Sequence, residues 1–67
     1  MNNQEIGYLI RERRKFLRIR QEDLVDISGI SERTLREIEK GGANPELHSL
    51  LKICEVLGLE LKVEVKK

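Results

Sequence analysis

Glycine punctuation constrains this chain more than any other feature. Gly29, Gly41-Gly42 and Gly58 each follow a segment of helical apolar spacing. Glycine takes the left-handed conformation that ends a helix without a steric penalty. The chain is therefore expected to be a set of short helices. The first covers residues 4–18, with Ile6, Leu9, Ile10 and Leu17 on one side and Gly7 weakening it slightly. The second is Gln21–Ser28, with Leu24, Val25 and Ile27 inward. Ser31 is placed to cap a third helix over 32–40, with Leu35 and Ile38 inward. Asn44-Pro45 opens a fourth over 45–57, because proline at a first helical position loses only an amide that had no partner. That helix carries Leu47, Leu50, Leu51, Ile53, Cys54, Val56 and Leu57.

Sixty-seven residues make one domain, 1–67, whose core is small and whose stability is marginal. Such a domain needs a staple. One cysteine makes no internal disulfide, and one cysteine with one histidine does not fill a zinc site. Helix packing and self-association remain, and no cofactor or metal is expected. No apolar run approaches the roughly 20 residues of a membrane span, and the polar start is no secretion signal. A cytoplasmic protein without a membrane partner is the expectation. Catalysis is not expected either. His48 points away from the apolar side, and its neighbours Ser49 and Glu46 are too close in sequence to face it on a helix. Cys54 lies among apolar residues and reads as core.

The formal charge of +1 hides an asymmetry. Residues 11–20 carry six basic side chains against Glu12 alone, whereas residues 21–40 carry six acids against three bases. Positive charge near the amino end is what a polyanion-binding face requires. A solvated helix face laced with ion pairs has the same composition. Charge alone does not choose between them.

After Gly58 the period changes from 3.6 to 2. Residues 59–66 alternate apolar and charged without a break, the pattern of a half-buried strand. No second run of this kind exists in the chain. The expected partner is therefore a two-fold-related copy, giving an antiparallel ribbon with Leu59, Leu61, Val63 and Val65 as the dimer interface and their apolar face over the helices. Facing residues must be apolar with apolar and opposite charge with opposite charge. Setting Glu60 against Lys66, Lys62 against Glu64, Leu61 against Val65 and Val63 against itself meets both conditions over the longest ribbon. The register with Glu60 against Lys62 also pairs opposite charges but runs into Gly58 and the end of the fourth helix, and the one with Glu60 against Glu64 opposes like charges.

Two short helices joined by a tight glycine turn make a helix-turn-helix, whose second helix enters the DNA major groove. Gln21-Glu22-Asp23-Leu24, Gly29-Ile30-Ser31, Thr34-Leu35 and Ile38-Glu39-Lys40-Gly41 stand in register. So do Ile6-Gly7, Ile10-Arg11 and Arg14 upstream, and Pro45, Leu50, Ile53, Leu57 and Gly58 downstream. Over about residues 5–58 this set resembles the Cro/CI-type (Xre) repressors. Three positions depart from that family. Val25 replaces a small residue between the motif helices, Arg18 replaces the glycine that ends the first helix, and Arg20 replaces a capping Ser or Thr.

The resemblance implies a mainly α, lambda-repressor-like four-helix DNA-binding domain, here extended by the carboxy-terminal strand. It assigns Gln21 to phosphate at the start of the second helix. It presents Glu32, Arg33 and Thr34 at the start of the recognition helix. Arg33 suits guanine, since its planar fork matches two acceptors. Glu32 or Glu37 would accept from a cytosine amine, or Glu37 would pair within the helix with Arg33 or Arg36. Arg36, Lys40 and Asn44 are implied phosphate contacts, and Arg14 with Glu39 an ion pair holding the recognition helix. The expected function is a sequence-specific repressor acting as a homodimer on palindromic double-stranded DNA. A terminal strand resembles the short antitoxin repressors that partner HipA-type kinase toxins, so such a kinase is an implied partner. A protein-interaction module that keeps the fold without binding DNA is the alternative, supported by the acids of residues 21–40.

Overall fold

The computed structural model describes residues 1–42 and 44–67. Among the described residues four helices are present: α1 Asn3–Phe16, α2 Gln21–Ser28, α3 Glu32–Lys40 and α4 Leu47–Leu57. Three end as their glycines require, with φ of 78° at Gly29, 74° at Gly41 and 69° at Gly58.

Helix α1 is shorter than expected at its carboxyl end. Asn2 caps its start by accepting from the Glu5 amide, and a left-handed residue follows Leu17. That residue is Arg18, at φ 59°, so a side chain occupies a conformation that costs a non-glycine residue about 1–2 kcal/mol. The turn is compensated by two closing bonds, from the Arg18 amide to the Lys15 carbonyl and from the Ile19 amide to the Arg14 carbonyl, each 3.0 Å. Arg20 then precedes α2. Its guanidinium has no acceptor for the helix amides, and Asp23 instead reaches back to the Arg20 amide at 3.1 Å.

Helix α4 starts two residues later than the proline signal predicts. Glu46 occupies the cap position without a side-chain capping bond. Asn44, the expected cap, is engaged elsewhere: its Oδ1 accepts from Asn3 Nδ2 at 3.1 Å, tying the approach to α4 onto the start of α1.

The core is formed by Ile10, Leu24, Ile30, Leu35, Ile38, Leu50, Ile53 and Leu57, with Ile6, Leu17, Ile19, Val25, Val56 and Leu59 packed around it. Val25 is half-buried at the core's edge, so its extra methyls are not forced into the interior. Leu9, Ile27, Leu47 and Leu51, all expected inward, are exposed, because a helix docked on two neighbours buries only a narrow stripe. Helix α1 packs on α3 and α4, and α2 packs on the same two.

Residues 59–67 form no strand in the single chain. A strand needs a backbone partner, and none is offered by the described residues. Leu59 packs on the core and Leu61 lies at a small apolar groove with Met1, Ile6 and Leu9, but Val63 and Val65 are 99% and 93% exposed. The apolar face thus lies over the helices of its own chain only at its first two positions.

Candidate nucleic-acid interface

Helix α3 is an exposed ridge whose first turn is built from its own sequence. Ser31 Oγ accepts from the Thr34 amide at 3.1 Å and donates to Thr34 Oγ1 at 2.8 Å. This cap fixes the helix start and uses the Thr34 hydroxyl, which is half-buried rather than presented outward with Glu32 and Arg33. Nine residues at about 1.5 Å each make a rod comparable to the ~12 Å width of a major groove.

The ridge is anchored by one buried ion pair. Arg14 Nε donates to Glu39 Oε2 at 2.8 Å and Arg14 NH2 to Oε1 at 2.9 Å, with side chains only 12% and 4% exposed. Gln21 Nε2 adds a third donor to Oε1 at 3.1 Å. Arg14 NH1 donates to the Ile19 carbonyl at 3.0 Å. One guanidinium therefore fixes the α1–α2 turn and α3 together, and the Gln21 side chain donates to this anchor rather than projecting freely.

Two grooves flank α3. On the α2 side, Arg11, Arg14, Gln21, Arg36, Glu39 and Lys40 line about 520 Å³. On the α4 side, Arg33, Glu37, Asn44 and Pro45 are among the residues lining about 240 Å³. The expected DNA-facing residues are thus divided by the ridge. Gln21, Arg36 and Lys40 share one flank, while Arg33, Thr34, Glu37 and Asn44 share the other. Arg36 pairs with Glu32 one turn back, and among the described residues neither Arg33 nor Glu37 has an ion pair. Arg33 is exposed and Glu37 half-buried.

Arg11 and Arg13 are among the basic residues to which the sequence pattern assigns no role. Arg11 stands in the α2-side groove, and its three-residue spacing from Arg14 on α1 was the available signal. Arg13 Nε donates to the Leu57 carbonyl at the end of α4, at 2.8 Å, while its guanidinium lies over the Phe16 ring at 5.4 Å. The Phe16 contact has the three-residue spacing of one helix, whereas no local pattern announces the Leu57 contact, because Leu57 belongs to α4.

Arg20 forms ion pairs with Glu22 at 2.9 Å and with Asp23 at 3.2 Å. The hydrogen bond from the Arg20 side chain, helped by that from its amide, holds the Asp23 carboxyl below the usual carboxylate range. Burial pushes the Cys54 thiol up, the opposite of what a reactive thiolate needs.

The helix-turn-helix family model matches residues 10–63. The chain belongs to the helix-turn-helix family. It has the Xre-type form of this DNA-binding domain. The chain is also 40% identical over 50 residues to an uncharacterized HTH-type transcriptional regulator of Haemophilus influenzae. That match takes in 75% of this chain and 51% of the relative, so the chain spans about half the length of the protein it resembles. Among the described residues, no helix is long and apolar enough to cross a membrane.

Proposed function

We infer that this helix-turn-helix protein is a sequence-specific repressor that binds palindromic double-stranded DNA as a homodimer, with α3 in the major groove. One observation carries the reading: an exposed α3 whose base-reading candidate, Arg33, has no ion pair among the described residues, while the helix is locked in place by Arg14 and Glu39. A rigid scaffold and an uncommitted guanidinium are what bidentate reading of guanine requires. Arg11, Arg36 and Lys40 flank the ridge as phosphate contacts, which position the domain without reading sequence.

The homodimer reading rests on the tail. Val63 and Val65 alternate with charged residues and stand in solvent, so a second copy's tail is the partner that satisfies both backbone and side chains. An antitoxin role beside a HipA-type kinase rests on the same tail, through its likeness to the short antitoxin repressors. The protein is read as a binder and not as a catalyst.

Selection of bound duplexes from a random pool tests the reading, with wild type and Arg33→Ala compared. Wild type should recover a palindrome, and Arg33→Ala should relax one base position per half-site at a cost of about 1–3 kcal/mol. An unchanged consensus removes Arg33 as the base reader. A protein-interaction module would recover no consensus and show no dependence of binding on salt.

A further inference from the structure

Where the amino ends of α2 and α3 meet, Arg20, Arg36, Glu22 and Glu32 line one groove together with Arg14 and Gln21, around about 390 Å³. Its two exposed cations are already committed within the chain. Arg36 is paired with Glu32 Oε1, and Arg20 with Glu22 Oε1 and Asp23 Oδ2. Arg33, on the same helix as Arg36, carries no such partner. Of the flank's phosphate cations, Arg36 is thus neutralised from inside, while among the described residues Arg11, Lys40 and the base-reading Arg33 are not.

DNA held without regard to sequence is held almost wholly by cations on phosphate. When Arg36 leaves Glu32 for a phosphate, one anion replaces another and little is gained. The released carboxylate then stands close to the backbone as a like charge. A matched operator adds base contacts that offset this loss, and random DNA does not. We propose that Glu32 is a specificity-determining residue that suppresses sequence-independent binding by holding the phosphate-gripping Arg36 in an ion pair. The proposal rests on the DNA-binding reading above. The Arg20 guanidinium, raised in pKa chiefly by its hydrogen bond to Asp23, is held in the same way.

The test is anisotropy of a labelled random-sequence duplex over a salt series, with wild type, Glu32→Gln, Glu22→Gln and Glu55→Gln. Glu55 is exposed on α4 and serves as the charge-matched control. A random duplex reports phosphate contacts alone, so any base reading by Glu32 does not enter. Glu32→Gln frees Arg36 completely. It should bind roughly 3- to 10-fold tighter at low salt, and its log–log salt slope should steepen by about 0.9, one added phosphate contact. Glu22→Gln leaves Arg20 with Asp23 and should gain only about 2- to 3-fold, by loss of a like charge. Glu55→Gln should leave the slope unchanged. If wild type binds but Glu32→Gln keeps its affinity and slope, or if Glu55→Gln matches it, the inference is overturned alone. If wild type itself shows no salt-dependent binding, the DNA-binding reading falls and takes the inference with it.

Discussion

Gly7 lies directly against the carbonyl oxygen of Ile38, leaving no room for a Cβ between α1 and the end of α3. The Glu39 carbonyl oxygen closes the same space, at 3.0 Å from where that Cβ would stand. On an open helix face, Gly→Ala stabilises by roughly 0.5–1 kcal/mol. Here the sign reverses. Gly7→Ala must push α1 away from α3, and overpacking of this kind costs about 1–3 kcal/mol. A thermal midpoint lowered by about 4–8 °C per kcal/mol is expected. A midpoint at or above wild type would show that the helices separate freely.

Arg14→Ala should destabilise the fold far more than Arg11→Ala. It strands the buried Glu39 carboxylate, opens the turn at Ile19 and removes two of the three donors on Glu39. Breaking a buried pair from one side costs about 3–5 kcal/mol, comparable to the stability a domain of this size possesses. Arg11 is exposed and its loss should shift the midpoint little. Urea titrations of the two variants make the comparison, and equal midpoints would contradict it.

Strong acid should loosen the start of α2. Asp23 has a folded pKa below its unfolded value, so its contribution is present above the ordinary carboxylate range. It is lost as pH falls through that range toward the lowered value. Amide exchange or chemical shifts at Arg20–Asp23 should report this, and Asp23→Asn should abolish the pH dependence. Local shifts that persist in Asp23→Asn would assign the effect to another group.

The tail prediction is a matter of geometry. In the register that pairs opposite charges along its length, Val63 meets its own copy on the two-fold axis while Leu61 meets Val65. With Cys54 replaced by Ala, Val63→Cys should cross-link much faster than Leu61→Cys under oxidation. Faster linkage at Leu61 selects the register in which Glu60 faces Lys62. A stable dimer after deletion of residues 59–67 would place the interface elsewhere.

The helix ends marked by a glycine or by Ser31 were legible in the sequence because they depend on single residues. Gly29, Gly41 and Gly58 stop helices through their own φ, and Ser31 caps α3 through an acceptor three residues from its donor. The inward face of α3 followed from the spacing of Leu35 and Ile38, since a helix places such residues on one side whatever surrounds it. Even the left-handed Arg18 could be located by its place in the repressor-like pattern.

What the tertiary structure decided lies between distant residues. Gly7, legible only as a weak helix former, is the contact point of α1 with α3. Asn44, expected to cap α4, is held by Asn3. Ile27, Leu47 and Leu51 are apolar at helical spacing yet exposed, because which part of an apolar face is covered depends on where the neighbouring helices cross it. Gln21 was drawn to the Glu39 carboxylate already held by Arg14. Periodicity and φ preferences act over one turn of chain, whereas each of these pairings exists only once packing has brought separate segments or competing rotamers to one place.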